Sequence, residues 1–177
     1  MPAFTRRWGA RALDVAAVLV LAYAAARFFV FPRLHHAPAA APPVSLATLA
    51  GPRFDLDRTR GKLVFLEFFA TWCQPCRASI PLVQRFKRDH PAVVVESVDV
   101  GEPDALARGF ARTFAMRDVA LDPDETVAHA FAVDGFPTLV AVDPHGTIVA
   151  RWIGENPNIE QAMTDAVARY AGRVGLR

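Results

Sequence analysis

Apolar residues run together at two kinds of place along the chain. One is near the N-terminus, where Val15 to Phe31 is apolar apart from Arg27. The others are short runs further on: "KLVFLEFF" (62–69), "AVVVESVDV" (92–100), Val119 to Leu121 and "TLVAV" (138–142). Short runs rich in β-branched and aromatic residues predict strands, and the continuous ones suit a sheet centre buried on both faces. Between them the pattern predicts helices over Gln74–His90, over 103–115 with Pro103 and Asp104 in the first turn, over about Asp124–Ala132, and over Pro157–Gly172. "SLATLAGPRFDLDRTRGK" predicts short strands around the Gly51-Pro52 turn. "TLVAV" and "TIVARWIG" across Asp143-Pro144-His145-Gly146 predict an antiparallel hairpin. Helices alternating with buried strands, closed by a hairpin and a helix, imply an α/β fold with a mixed central sheet. The chain carries no internal repeat.

The N-terminal run is a membrane or targeting signal first and a fold element second. Its seventeen residues would span about 25 Å as a helix, the short end of what a bilayer core requires, and Arg27 could snorkel to the head groups. Arg6, Arg7 and Arg11 precede the run, which puts the N-terminus in the cytoplasm and everything after it outside. The expectation is a single-pass anchor over 1–31 in the inner (cytoplasmic) membrane, a Pro/Ala-rich spacer over 32–45, and a periplasmic domain over 46–177. A cleaved signal peptide with its apolar core over Val15 to Ala26 competes, but Arg27 and "FFVFPRL" separate that core from the small residues at "APAAA". An ordinary core helix would need a wet face, and this run has none. "TRRW" lacks the apolar residues expected after a twin-arginine pair. His35 and His36 lie in the spacer, where an adjacent pair is incidental.

The formal charge of +2 hides an uneven distribution: residues 1 to 34 hold five arginines against Asp14, so the remainder is net acidic. Nothing in it asks for a nucleic-acid partner. A chain of 177 residues can bury a proper core without disulfides. Its two cysteines, Cys73 and Cys76, are too few for a stapled scaffold, so their purpose is local.

A lone C-x-x-C supplies two of the four ligands zinc needs, and Arg77 stands where covalent haem attachment requires a histidine. Copper(I) on both sulfurs with a remote histidine, His129 or His145, is an alternative weighed against those histidines being ordinary surface residues. A crosslink this short restricts an unfolded chain too little to matter. Redox chemistry fits best. The pair follows a buried strand and opens a helix, whose unpaired N–H groups favour an anion, so Cys73 is expected to attack as thiolate and Cys76, one turn inside, to resolve the mixed disulfide. Glu67, six residues before Cys73 on an otherwise apolar strand, is the candidate base: desolvation would raise its pKa into a useful range. The other reading of Glu67 is a strand glutamate paired with a lysine or facing water.

These residues resemble the thioredoxin fold, and within it the membrane-anchored periplasmic thiol–disulfide oxidoreductases of the TlpA/ResA kind. The resemblance covers about Leu46 to the C-terminus and rests on "GKLVFLEFFATWCQPCRASIP", "GFPTLVAVDPHGTIVARWIG" and the insertion from about Glu102 to Ala132. It implies that Pro137 is a cis-proline beside the cysteines, turning the Phe136 backbone towards a substrate, and that Trp72 is the aromatic flanking the nucleophile. Glu67 stands where this branch often has asparagine, and "GFPT" departs from the Gly-x-Pro-Glu of dedicated cytochrome c maturation members. Apocytochrome as the sole client therefore does not follow.

The resulting expectation is a membrane-tethered reductase of disulfides in exported proteins, re-reduced by a membrane thiol donor and needing no cofactor. A disulfide oxidase or isomerase of the same fold and a copper(I) chaperone are the alternatives. An uncleaved anchor keeps residues 1–31 in the mature chain, so intact mass spectrometry of the membrane fraction should find the full-length mass; a lighter species starting near the alanine-rich stretch would identify a signal peptide.

Overall fold

The computed structural model describes residues 39–171 together with 18–20 and 23. The chain divides into two units, Met1–Pro38 and Ala39–Arg177. Most of the expected anchor, and His35 and His36, lie outside the described residues. Val18, Leu19, Val20 and Tyr23 are helical and exposed. Among the described residues no helix is long and apolar enough to cross a membrane.

The second unit is built on β4, Val64–Phe69, all six residues of which are buried. Valine, leucine and phenylalanine suit a strand covered on both faces. It pairs in parallel with β5 (Val94–Val100) and antiparallel with β7 (Thr138–Val142). β5 continues in parallel to β6 (Val119–Asp122), and the hairpin partner of β7 is β8 (Thr147–Ile153). Three short strands complete the edges: β1 (Ala39–Ala40), β2 (Ser45–Thr48) and β3 (Phe54–Asp55). The order across the sheet is β1-β8-β7-β4-β5-β6-β2-β3, mixed as the sequence implies. Four helices connect or follow the strands: α1 (Gln74–Asp89), α2 (Asp104–Thr113), α3 (Thr126–Ala130) and α4 (Ile159–Ala171).

Alternation along β4 divides the core. Val64, Leu66 and Phe68 point to the face covered by Val127, Ala128 and Phe131, with Phe68 and Phe131 rings 5.5 Å apart. Phe65 and Phe69 point to the other, where Phe65 meets Phe86 of α1 edge-on at 5.6 Å and Phe69 stacks on Phe110 of α2 at 5.3 Å. Ile159, Met163 and Ala166 of α4 close that face over Phe65. Each buried phenylalanine contributes about 2 to 3 kcal/mol of burial. Together they hold the last residue of β4 rigidly beneath the start of α1.

Two boundaries differ from the sequence expectation. The spacer read over 32–45 ends early: Ala39 and Ala40 pair with Ile148 and Thr147, the Ala41 N–H donates to the Gly146 carbonyl at 2.8 Å, and Val44 is buried. Small alanines fit an edge strand, and Pro42-Pro43, lacking N–H donors, stop it. α3 is shorter than Asp124–Ala132. Glu125 and Ala132 both adopt positive φ (57° and 50°), and the Asp122 carboxylate caps the helix by accepting from the Val127 and Ala128 N–H groups at 3.2 and 2.8 Å. The carbonyl of Ala128 accepts from Val133 across the left-handed Ala132, a common way to finish a helix. The Asp143-Pro144-His145-Gly146 hairpin turn is as expected; the Asp143 carboxylate accepts from the N–H groups of His145 and Thr147, both at 2.9 Å.

Candidate active site

Chain direction brings Cys73 to the C-terminal edge of the sheet. β4 ends at Phe69, a short turn follows, and Cys73 is the N-cap of α1 in extended conformation (φ −73°, ψ 108°). Its sulfur takes the part of a capping oxygen, accepting from the Cys76 N–H at 3.1 Å. Pro75 sits in the first turn, where its missing N–H leaves no gap. The two sulfurs are joined, S–S 2.07 Å with Cα atoms 5.3 Å apart, so the structure holds the oxidised state. Cys76 is wholly buried and Cys73 nearly so.

A groove of about 390 Å³ opens onto Cys73. Trp72, Cys73, Gln74 and Pro75 form one bank; Glu125 and the segment Val133 to Phe136 form the other. Trp72 is 71% exposed and meets Phe136 edge-on at 5.9 Å. The Phe136–Pro137 peptide bond is cis, as the resemblance implies, and Pro137 lies directly before β7, beside the end of β4.

Glu67 is the one charged residue of β4, and it is fully buried on the α1 face. It does not face solvent, and among the described residues its partners are two serines rather than a lysine. Its carboxylate accepts from the Ser79 hydroxyl of α1 at 3.2 Å and from the Ser97 hydroxyl of β5 at 3.1 Å, and the Gln84 amide donates to Ser97 at 3.2 Å. Burial pushes its pKa up to about 7; the two serine hydrogen bonds oppose that rise without cancelling it.

A second polar group holds the turn before Cys73. The Glu102 carboxylate accepts from both the N–H and the hydroxyl of Thr71, while Arg77 donates to the Thr71 carbonyl at 3.0 Å and lays its guanidinium 5.2 Å over the Phe110 ring. Beneath it Asp99 is buried, its pKa pushed up to about 7 by burial first and then by the charges of Glu102 and Asp104.

Residues 38–151 match the AhpC/TSA family. The chain belongs to that family, in its branch of thiol–disulfide oxidoreductases of the ResA and DsbE type. It is 33% identical over 112 residues to thiol-disulfide oxidoreductase ResA of Bacillus subtilis, covering 62% of this chain and 63% of that one. Identity to the ResA of Bacillus thuringiensis is 30% over 118 residues, 65% and 68% of the two chains. A Chlorobium tepidum chain designated thiol:disulfide interchange protein DsbE superposes with TM-score 0.70 at 25% identity, over 75% of this chain and 96% of the other. The dsbF structure from MTB gives 0.66 at 26%, over 72% and 94%.

Within this family member the structure gathers Cys73, Cys76, Trp72, Phe136 and Pro137 at one edge, with Glu67 beneath them. Of the copper candidates, His145 is carried away from it and His129 is joined to Glu125, a residue of the groove. His145 follows β7 at the end of the sheet where Val142 pairs with Val64, opposite to Cys73, and His129 faces Glu125 at 3.5 Å. Among the described residues no three His, Cys, Asp or Glu side chains come together as metal ligands would. Ser79, Ser97, Thr71, Glu102 and, in the groove, Glu125, Val133 and Asp134 escaped the sequence reading. Ser79 carried a signal, standing three residues after Cys76 on the same helical face; Glu102, a loop residue, carried none.

Glu67, Glu96 and Asp99 are all pushed up to about 7 by burial. A carboxyl held neutral by the fold stabilises it below the unfolded value near 4, and that stability is lost as pH rises through about 7. The oxidised protein should therefore be most resistant to chemical denaturation near pH 4 to 5 and weaken towards pH 8. Glu67→Gln should flatten part of that slope and stabilise the protein at pH 8 by about 2 to 3 kcal/mol, measured by urea titration at both pH values.

Proposed function

We propose that the chain is a membrane-tethered, extracytoplasmic reductase of disulfides in exported proteins. The observation carrying this reading is the Cys73–Cys76 disulfide at a helix N-terminus with the buried Glu67 carboxyl beneath it. In the reduced enzyme the Cys73 thiolate, favoured by the helix N-terminus, attacks one sulfur of a client disulfide. One client thiolate leaves and a mixed disulfide with Cys73 forms. Cys76 then loses its proton to Glu67, with the Ser79 hydroxyl as the bridging group, and attacks the Cys73 sulfur. The second client thiolate leaves, and the Cys73–Cys76 bond of this structure is formed. Two electrons pass to the client, and a membrane thiol donor returns two to the enzyme. A base with a pKa of about 7 is matched to a proton transfer near neutral pH.

Trp72 and the Phe136–Pro137 segment receive the client beside Cys73, and the apolar run at 15–31 holds the domain at the membrane surface. The same two attacks in reverse would make an oxidase or isomerase, so the reduction potential decides direction. Equilibration with glutathione buffers should give a low value; a potential above roughly −150 mV, near the strong oxidants, would overturn the reductive assignment. Cys76→Ser should accumulate a mixed disulfide through Cys73, visible as a client adduct on non-reducing gels. Glu67→Gln should slow resolution about tenfold or more while sparing the first attack; stopped-flow traces slowed equally in both phases would remove Glu67 from the role.

A further inference from the structure

The groove over Cys73 is charged on one side only. Its lining includes two carboxylates, Glu125 and Asp134, and no lysine, arginine or histidine. The cations near it each have partners of their own. Arg151 donates to the Phe131 and Ala132 carbonyls at 2.6 and 3.3 Å and is close enough to Asp134 to feel its charge. Arg77 is turned onto Thr71 and Phe110, and His129 meets the Glu125 carboxylate at 3.5 Å, leaving Asp134 the more open of the two acids. Glu125 holds a left-handed φ of 57°, and its Oε1 lies 2.7 Å from where a β-carbon on Gly101 would stand.

In the same groove as these acids, Trp72 presents a largely exposed indole edge-on against Phe136. An aromatic face next to carboxylates is the surface that a guanidinium or ammonium prefers, through cation–π attraction and ion pairing together. We infer that the client segment entering this groove is cationic: an extended stretch whose disulfide cysteine is flanked by arginine or lysine. The inference rests on the reading of Cys73 as the attacking sulfur and specifies the chemistry of what it attacks. Charge of this kind acts mainly on encounter rate and on the rejection of wrong partners.

Three blocked peptides of equal length, each with one intramolecular disulfide and flanked by arginine, glutamine or glutamate, separate the possibilities. Their second-order rate constants with the reduced full-length protein should fall in the order Arg, Gln, Glu, with the first exceeding the last about tenfold at low salt and the ratio shrinking in 0.5 M salt. Asp134→Asn combined with Glu125→Gln should cut the Arg-to-Glu ratio at least about threefold. Because Glu125 packs against Gly101, Asp134→Asn alone, at an exposed position, tests the same point if the double variant fails to fold. Trp72→Leu should slow the arginine peptide more than the glutamate peptide. Equal rates for the three peptides, or a ratio unchanged in the variants, would overturn the inference while leaving the exchange chemistry standing. Failure of the glutamine peptide to react at all would instead remove Cys73 as attacking sulfur, and this inference with it.

Discussion

The burial of β4 on both faces is the constraint from which the rest of the second unit follows. A strand with no wet side needs helices above and below it and paired strands at both edges, and β5, β7 and the helices supply them. Such a strand also ends at a defined point. The turn from Phe69 to Cys73 therefore delivers a sulfur to the N-terminus of α1 with little freedom, and the Glu102 and Arg77 contacts to Thr71 remove much of what is left. A redox pair needs this: thiol exchange proceeds through near-linear attack of one sulfur on another, and misplacement costs rate directly.

Placing Glu67 in that strand works against stability. A carboxyl cut off from water favours its neutral form, and two serine hydroxyls compensate the charged form only in part. Hydrophobic packing around Phe65, Phe68 and Phe69 is ample enough to carry such a group. The acid thus sits where the fold can tolerate it and where the helix bearing Cys76 reaches it through Ser79. Asp99 repeats the arrangement on a smaller scale, a buried acid under the turn that precedes Cys73.

Much of this was legible in the chain. Periodicity located every strand of the sheet but β1, and the hairpin and α1 came within a residue or two, because buried strands and capped helices leave compositional traces. The cysteine spacing, the glutamate interrupting "VFLEFF" and the proline of "GFPT" pointed to the site. α3 was misjudged in length because its start is set by Asp122, a residue of the preceding strand, and its ends by left-handed residues that are neither glycine nor asparagine. The alanines at 39 and 40 read as spacer because strand pairing at an edge depends on the partner strand, and β8 lies more than a hundred residues away.

The sequence by itself determined the strand order along the chain, the identity of the reactive sulfurs and the presence of one anomalous acid, since these depend on residues near one another in the chain. Only the tertiary structure decided what surrounds them. It assigned Ser79 and Ser97 to Glu67, set Glu102 against Thr71, put His145 at the far end of the sheet, and placed Glu125 and Asp134 in one groove with Trp72. Those neighbours come from different strands, helices and loops. Their meeting is a product of sheet order and crossover, which no local pattern of residues encodes.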